Sequence, residues 1–179
     1  MPTDDEILSM IFNAEKEFTF NQDNWSPSKG KLRNNELEIP LLNNKTLADL
    51  KQLEADAVQL VEKNLMDQAL DKLNLAIMMC DRYASAYNNR AQVLRIMKRT
   101  SEALNDLNTA IQWSPNTKIL GMAYTQRAIL YKELGNLENA NNDFMNGAKF
   151  GNPIAKTYVS NNPYAKLCST MVALASQNK

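Results

Sequence analysis

Small and large apolar residues return along this chain at fixed steps. Leu53, Ala57, Leu60, Ala69, Leu73 and Ala76 reappear as Tyr87, Ala91, Leu94, Ala103, Leu107 and Ala110, each 34 positions on. They return again as Tyr124, Ala128, Tyr131, Ala140, Phe144 and Gly147, each 37 positions further. Within a block the spacing is helical, and a break falls between the third and fourth columns. That pattern predicts antiparallel helix pairs, each leaving one apolar face that only a neighbouring pair can cover. The predicted fold is all-α: a right-handed solenoid of three hairpins with a capping helix and a partly irregular N-terminal extension.

The three blocks are placed at about 50–83, 84–117 and 121–154, within a unit spanning 46–154. The first helix is expected over about 46–63, with Thr46 and Asp49 able to cap it and Leu50, Leu53, Ala57, Leu60 and Val61 on its apolar face. Asn64 marks the break before a second helix over about 67–80. In the middle block, Arg95, Lys98 and Arg99 end the first helix, where solvated cations suit the negative end of the helix dipole. Pro115 stops the second helix, since proline has no donor and disfavours helix at its predecessor. Lys118, Ile119 and Leu120 lengthen the start of the third block, and Gly135-Asn136 makes its internal turn.

Outside the blocks the pattern changes. Residues 1–45 are rich in Asn, Asp and Glu, with Thr3 and Glu6 forming a capping box ahead of Ile7, Met10 and Ile11. A short amphipathic helix over 4–12 and a long linker are expected, and a helix that short needs a surface to dock on. The array itself or a partner could provide it. At the other end, residues 155–179 are expected to cap the array, with Tyr164, Leu167, Cys168, Met171 and Leu174 on one stripe.

Composition narrows the chemistry. The 179 residues contain no histidine, which removes the commonest general base, metal ligand and pH switch. Lys plus Arg and Asp plus Glu both count 20, so no global field favours nucleic acid or an acidic membrane. The two cysteines, Cys80 and Cys168, suggest neither a disulfide framework nor a zinc site. No run is apolar enough to span a bilayer, and the acidic start MPTDDEILSM lacks the features of a secretory signal. A cytoplasmic setting is expected. Glycine-rich phosphate loops, metal-ligand clusters and nucleophile motifs are absent from the sequence, so no enzyme and no cofactor is expected.

At the repeat columns the chain resembles the tetratricopeptide repeat family, whose 34-residue helix pairs carry the same order of large and small residues. The middle block matches throughout, from Tyr87 to Pro115. The first departs at Asp81, where the family has proline, and the third at Gly147 and Asn152. The resemblance covers about 105 of 179 residues. It extends further, through residues 84–92 (ASAYNNRAQ), 162–165 (NPYA) and 11–13 (IFN), to a group of small cytosolic members. That likeness implies association with the 70-kDa heat-shock chaperone.

Many co-chaperones of the family grip an acidic C-terminus with a two-carboxylate clamp of Lys, Arg and Asn. Here Glu54 and Val58 stand where the clamp has Lys and Asn, and Met122 and Gln126 stand where it has Lys and Arg. Only Asn89 is kept, so one of five clamp positions survives and one is reversed in sign. This groove is not expected to bind an acidic terminus by that mechanism. Its expected partner-binding lining is Lys51, Glu54, Ala55, Val58, Ser85, Asn88, Asn89, Gln92, Met122, Thr125, Gln126 and Ile129. Such an amide-rich face suits a peptide or helix, with a merely solvated surface as the alternative. Arg90 and Arg127 share a neighbouring column and are expected to make structural hydrogen bonds or ion pairs.

Overall fold

The computed structural model describes residues 44–161, Pro115 excepted. The expected helix over 4–12, its linker, the stripe from Tyr164 to Leu174 and the Pro115 stop lie outside the described residues. Within them are seven helices and no strand. Six form hairpins: α1 (Asn44–Glu62) with α2 (Met66–Met79), α3 (Ala84–Ile96) with α4 (Thr100–Trp113), and α5 (Thr117–Glu133) with α6 (Leu137–Lys149). The seventh, α7 (Pro153–Asn161), packs on α6. Each helix packs on its neighbours in sequence, and α3 also touches α1 and α5, so the first helices line up in one layer.

The small columns are where helices meet. Ala57, Ala91 and Ala128 are at most 2% exposed, and Ala69, Ala103, Ala140, Ala76 and Ala110 are fully covered. Side chains of that size let helix axes approach to about 8–10 Å. Leu73, Leu107 and Phe144 sit beside them, each buried, and each leucine contributes about 1.5–3 kcal/mol through burial. The core also takes in Leu50, Ala86, Ala123 and Leu130.

One turn geometry recurs inside all three hairpins. Asn64, Lys98 and Gly135 occupy the left-handed region at φ 59°, 60° and 76°. In each case the next N–H reaches back five residues, Leu65 to Leu60, Arg99 to Leu94 and Asn136 to Tyr131. That bond satisfies a carbonyl the ending helix would otherwise strand. Asparagine and glycine tolerate this conformation readily, whereas lysine does so at a cost.

Two differences from the sequence reading have local causes. Thr46 lies inside α1 and not at its cap, because the helix already includes Asn44. Of Arg95, Lys98 and Arg99, the last two are exposed as expected, and Arg95 is buried. Arg95 is 8% exposed and pairs with Glu133, Lys98 makes the turn, and Arg99 precedes α4 and pairs with Glu102. The three-residue insertion does lengthen α5, which Asn116 caps by accepting from the Lys118 N–H at 2.8 Å. Asn152 caps α7 in the same way, accepting from Ile154 and Ala155, with Pro153 at the first helical position.

Gly147 replaces the alanine of its column because the space is gone. A Cβ there would lie 2.5 Å from Thr125 Oγ1 and 3.0 Å from Ala155 Cβ. Thr125 cannot swing away freely, since its hydroxyl donates to the Gly121 carbonyl at 2.6 Å. Gly147→Ala should therefore destabilise the fold by about 1–3 kcal/mol in urea denaturation, despite alanine's better helix propensity. Adding Thr125→Ala should recover part of that loss. A stabilised single variant would contradict the tight crossing.

The arginines at the shared column clamp the hairpins. Arg90 donates from Nε and Nη2 to both oxygens of Asp106 at 2.7 Å, and Arg127 does the same to Asp143 at 2.7 and 2.9 Å. Each spends its Nη1 on the preceding hairpin, on Asn74 at 2.8 Å and Asn108 at 2.6 Å. Each also lies over a tyrosine three residues earlier, Tyr87 or Tyr124. In the first hairpin the same two columns carry the opposite signs: Asp56 on α1 and Lys72 on α2, 3.5 Å apart, with side chains 33% and 41% exposed. Asp106→Ala should cost about 2 kcal/mol or more, because it strands a half-buried guanidinium. Asp56→Ala should cost under about 0.5 kcal/mol. Equal losses in thermal or urea unfolding would refute the distinction.

Candidate functional site

The candidate site is the face formed by the first helices, α1, α3 and α5. Side chains every three or four residues share a face of a helix, so Lys51, Glu54 and Val58 line up on α1, Ser85, Asn88, Asn89 and Gln92 on α3, and Met122, Thr125, Gln126 and Ile129 on α5. Lys51 and Ala55 are exposed. Glu54, Val58, Ser85, Asn89 and Met122 are half-buried. Asn88, Gln92, Thr125, Gln126 and Ile129 are buried, four of them at 3% exposure or less.

Glu54 is the hub of the α1–α3 side. One carboxylate oxygen accepts from the Tyr83 hydroxyl at 2.7 Å and the other from the Asn89 amide at 2.8 Å, with Ser85 as a further donor. Asn89, the one clamp position kept, is therefore engaged by a carboxylate of its own chain. Burial pushes the Glu54 carboxyl above its ordinary value of 4.5, opposed by the Ser85, Tyr83, Lys51 and Asn89 interactions. Burial and the neighbouring Glu54 charge also push the Tyr83 hydroxyl well up, so it stays a donor.

Between α3 and α5 the bonds are of amide type. The Gln126 Nε2 donates to Asn88 Oδ1 at 3.3 Å. Further along, Arg95 donates from Nη1 to Glu133 at 3.1 Å. Four buried polar atoms here find no partner among the described residues: Gln92 Nε2, Gln126 Oε1, and Nε and Nη2 of Arg95. Sequence reasoning missed Tyr83, Arg95 and Glu133 as members of this face. The available signal was opposite charge at the ends of two adjacent first helices. Among the described residues, no group of three or more acidic or cysteine side chains could hold a metal ion, and no helix is long and apolar enough to cross a membrane.

The profile described as "Tetratricopeptide repeat" matches residues 84–117, the α3–α4 hairpin. A Drosophila melanogaster protein, "Tetratricopeptide repeat protein 36 homolog", is 35% identical over 177 residues, spanning 97% of this chain and 92% of its own. The human tetratricopeptide repeat protein 36 is 32% identical over 176 residues, spanning 96% and 92%. The chain belongs to the tetratricopeptide repeat protein 36 family. Among solved structures, the second repeat domain of human RPAP3, in complex with the HSP70 peptide SGPTIEEVD, superposes with a TM-score of 0.56 at 20% identity, over 65% of this chain and 96% of that one. The second repeat domain of Spaghetti (RPAP3), bound to the HSP90 peptide SRMEEVD, gives 0.53 at 18% identity, over 59% and 97%. At such identities the likeness establishes the fold, which this member of the tetratricopeptide repeat protein 36 family shares with these domains.

The raised Glu54 carboxyl carries a sign. A carboxyl with a folded value above its unfolded one holds its proton longer in the native state, so stability is lost as pH rises from about 4.5 through the folded value. Glu54→Gln removes that component. In denaturation measured from pH 4 to 8, the variant's stability relative to wild type should rise with pH and then level off. A relative stability that falls over that window would mean the donors around Glu54 outweigh its burial.

Proposed function

We propose that this chain is a non-catalytic protein–protein interaction scaffold of the cytoplasm, a co-chaperone-like adaptor that associates with the 70-kDa heat-shock chaperone without a dicarboxylate clamp. The observation that carries the reading is the Glu54–Asn89 bond. The asparagine that would orient a ligand carboxylate is held by an internal one, and Glu54 adds negative charge where a clamp offers a cation. An acidic peptide meets repulsion there, so the partner is engaged elsewhere on the amide-rich face or on another surface. The RPAP3 domains that share the fold hold HSP70 and HSP90 peptides, which supports a chaperone as partner. Nothing on the face resembles a nucleophile–base pair, in keeping with binding rather than catalysis. Glu54 also favours a second reading: an adaptor for a different protein, with no chaperone role, since its charge suits a neutral or basic segment.

The test is capture of purified 70-kDa chaperone by the full chain, beside Asn89→Ala. Wild type should capture it, the variant should bind within about twofold, and a chaperone shortened at its acidic C-terminus should still be retained. No capture by wild type would remove the chaperone and leave the second reading. Loss in Asn89→Ala would show a clamp after all, whereas loss with the shortened chaperone alone would place the acidic terminus on a part of the chain away from Asn89.

A further inference from the structure

Arg95, which is buried, differs from the half-buried Arg90 and Arg127 in what its fork holds. At Arg90 and Arg127 the Nε and Nη2 donors, which point the same way from the guanidinium, grip a carboxylate side-on. At Arg95 those same two donors find no acceptor among the described residues, although the side chain is only 8% exposed. Its single bond is made by the remaining nitrogen, Nη1, to Glu133 at 3.1 Å. One turn earlier on the same face of α3, Gln92 is 2% exposed and its Nε2 is also unpartnered. Three buried donor nitrogens on one helical stripe thus lack acceptors among the described residues, and burying such donors unpaired is costly.

We infer that Arg95 and Gln92 form a carboxylate-binding site, with the side-on fork of Arg95 receiving both oxygens and Gln92 Nε2 adding a third bond. The ligand class is a carboxylate on a protein partner, an acidic side chain or a chain terminus. The inference rests on reading the first-helix face as a partner surface, and it gives that face an anchor distinct from the Glu54–Asn89 position. Geometry selects a carboxylate over a single carbonyl, because a planar fork presents two parallel donors. Glu133 holds Arg95 from its other edge and is about one-third exposed, so it orients the guanidinium without occupying the fork.

The experiment follows the Arg Nε–H resonances of the full chain by NMR, assigned with Arg95→Lys. The probes are N-acetylglutamate α-methylamide for a side-chain carboxylate, N-acetylglycine for a terminal one, and N-acetylglutamine α-methylamide as the neutral control. Arg95 should shift saturably with at least one carboxylate, while Arg90 and Arg127 stay in place and the control moves nothing. Arg95→Lys should weaken binding about tenfold or more, and Gln92→Ala should weaken it severalfold. Both variants are checked for unchanged circular dichroism and melting. Arg95 unmoved by either carboxylate, or moved equally by the neutral control, would overturn the site. Failure to capture the chaperone while Arg95 responds would sink the chaperone reading alone. Capture with a silent Arg95 would sink this site alone.

Discussion

The array is held in register by an arginine that serves two hairpins at once. Arg127 grips Asp143 within its own hairpin and Asn108 on the one before, and Arg90 does the same with Asp106 and Asn74. Hydrophobic stacking alone is non-directional and would let neighbouring hairpins slide over one another. A planar guanidinium with donors committed to two second helices permits little sliding. The alanine columns supply the closeness, and the arginines set the offset.

That offset is what gives the first-helix face its chemistry. Glu54 and Asn89 come from different hairpins, as do Asn88 and Gln126, and Arg95 and Glu133. Each pair forms only when the hairpins are aligned to within a fraction of a turn. The proposed adaptor therefore presents a preorganised surface, in which little side-chain order is lost on binding. At Glu54 that surface is already satisfied by its own groups, which argues against an acidic ligand there. At Arg95 it is not, and the two regions would treat the same carboxylate in opposite ways.

Much of the helical architecture was legible in the chain, because the repeat columns report where backbones must approach. Ala57, Ala91 and Ala128 stand in one small column of the repeat, and the structural role of Arg90 and Arg127 followed from their shared column. The Thr46 cap was misplaced, because a local signal for a helix start cannot tell whether the chain before it is already helical. Arg95, in the last turn of α3, was misread as solvated because residue type reports charge and not depth. Arg95 is buried, and its partner Glu133 lies 38 positions on in the next hairpin. The Glu54–Asn89 bond was likewise hidden. Sequence showed a reversed charge and a retained asparagine, but not that each answers the other. Gly147 is explained by Thr125 and Ala155, side chains on two other helices that no column analysis brings together.

The interlocking of neighbouring hairpins is most directly measured by a double-mutant cycle on Asn108 and Arg127, using Asn108→Ala, Arg127→Met and the pair in urea denaturation. A bond bridging two hairpins predicts a coupling energy of about 0.5–1.5 kcal/mol between the sites. Additive effects within about 0.3 kcal/mol would contradict it, and would mean that apolar stacking alone sets how the hairpins lie.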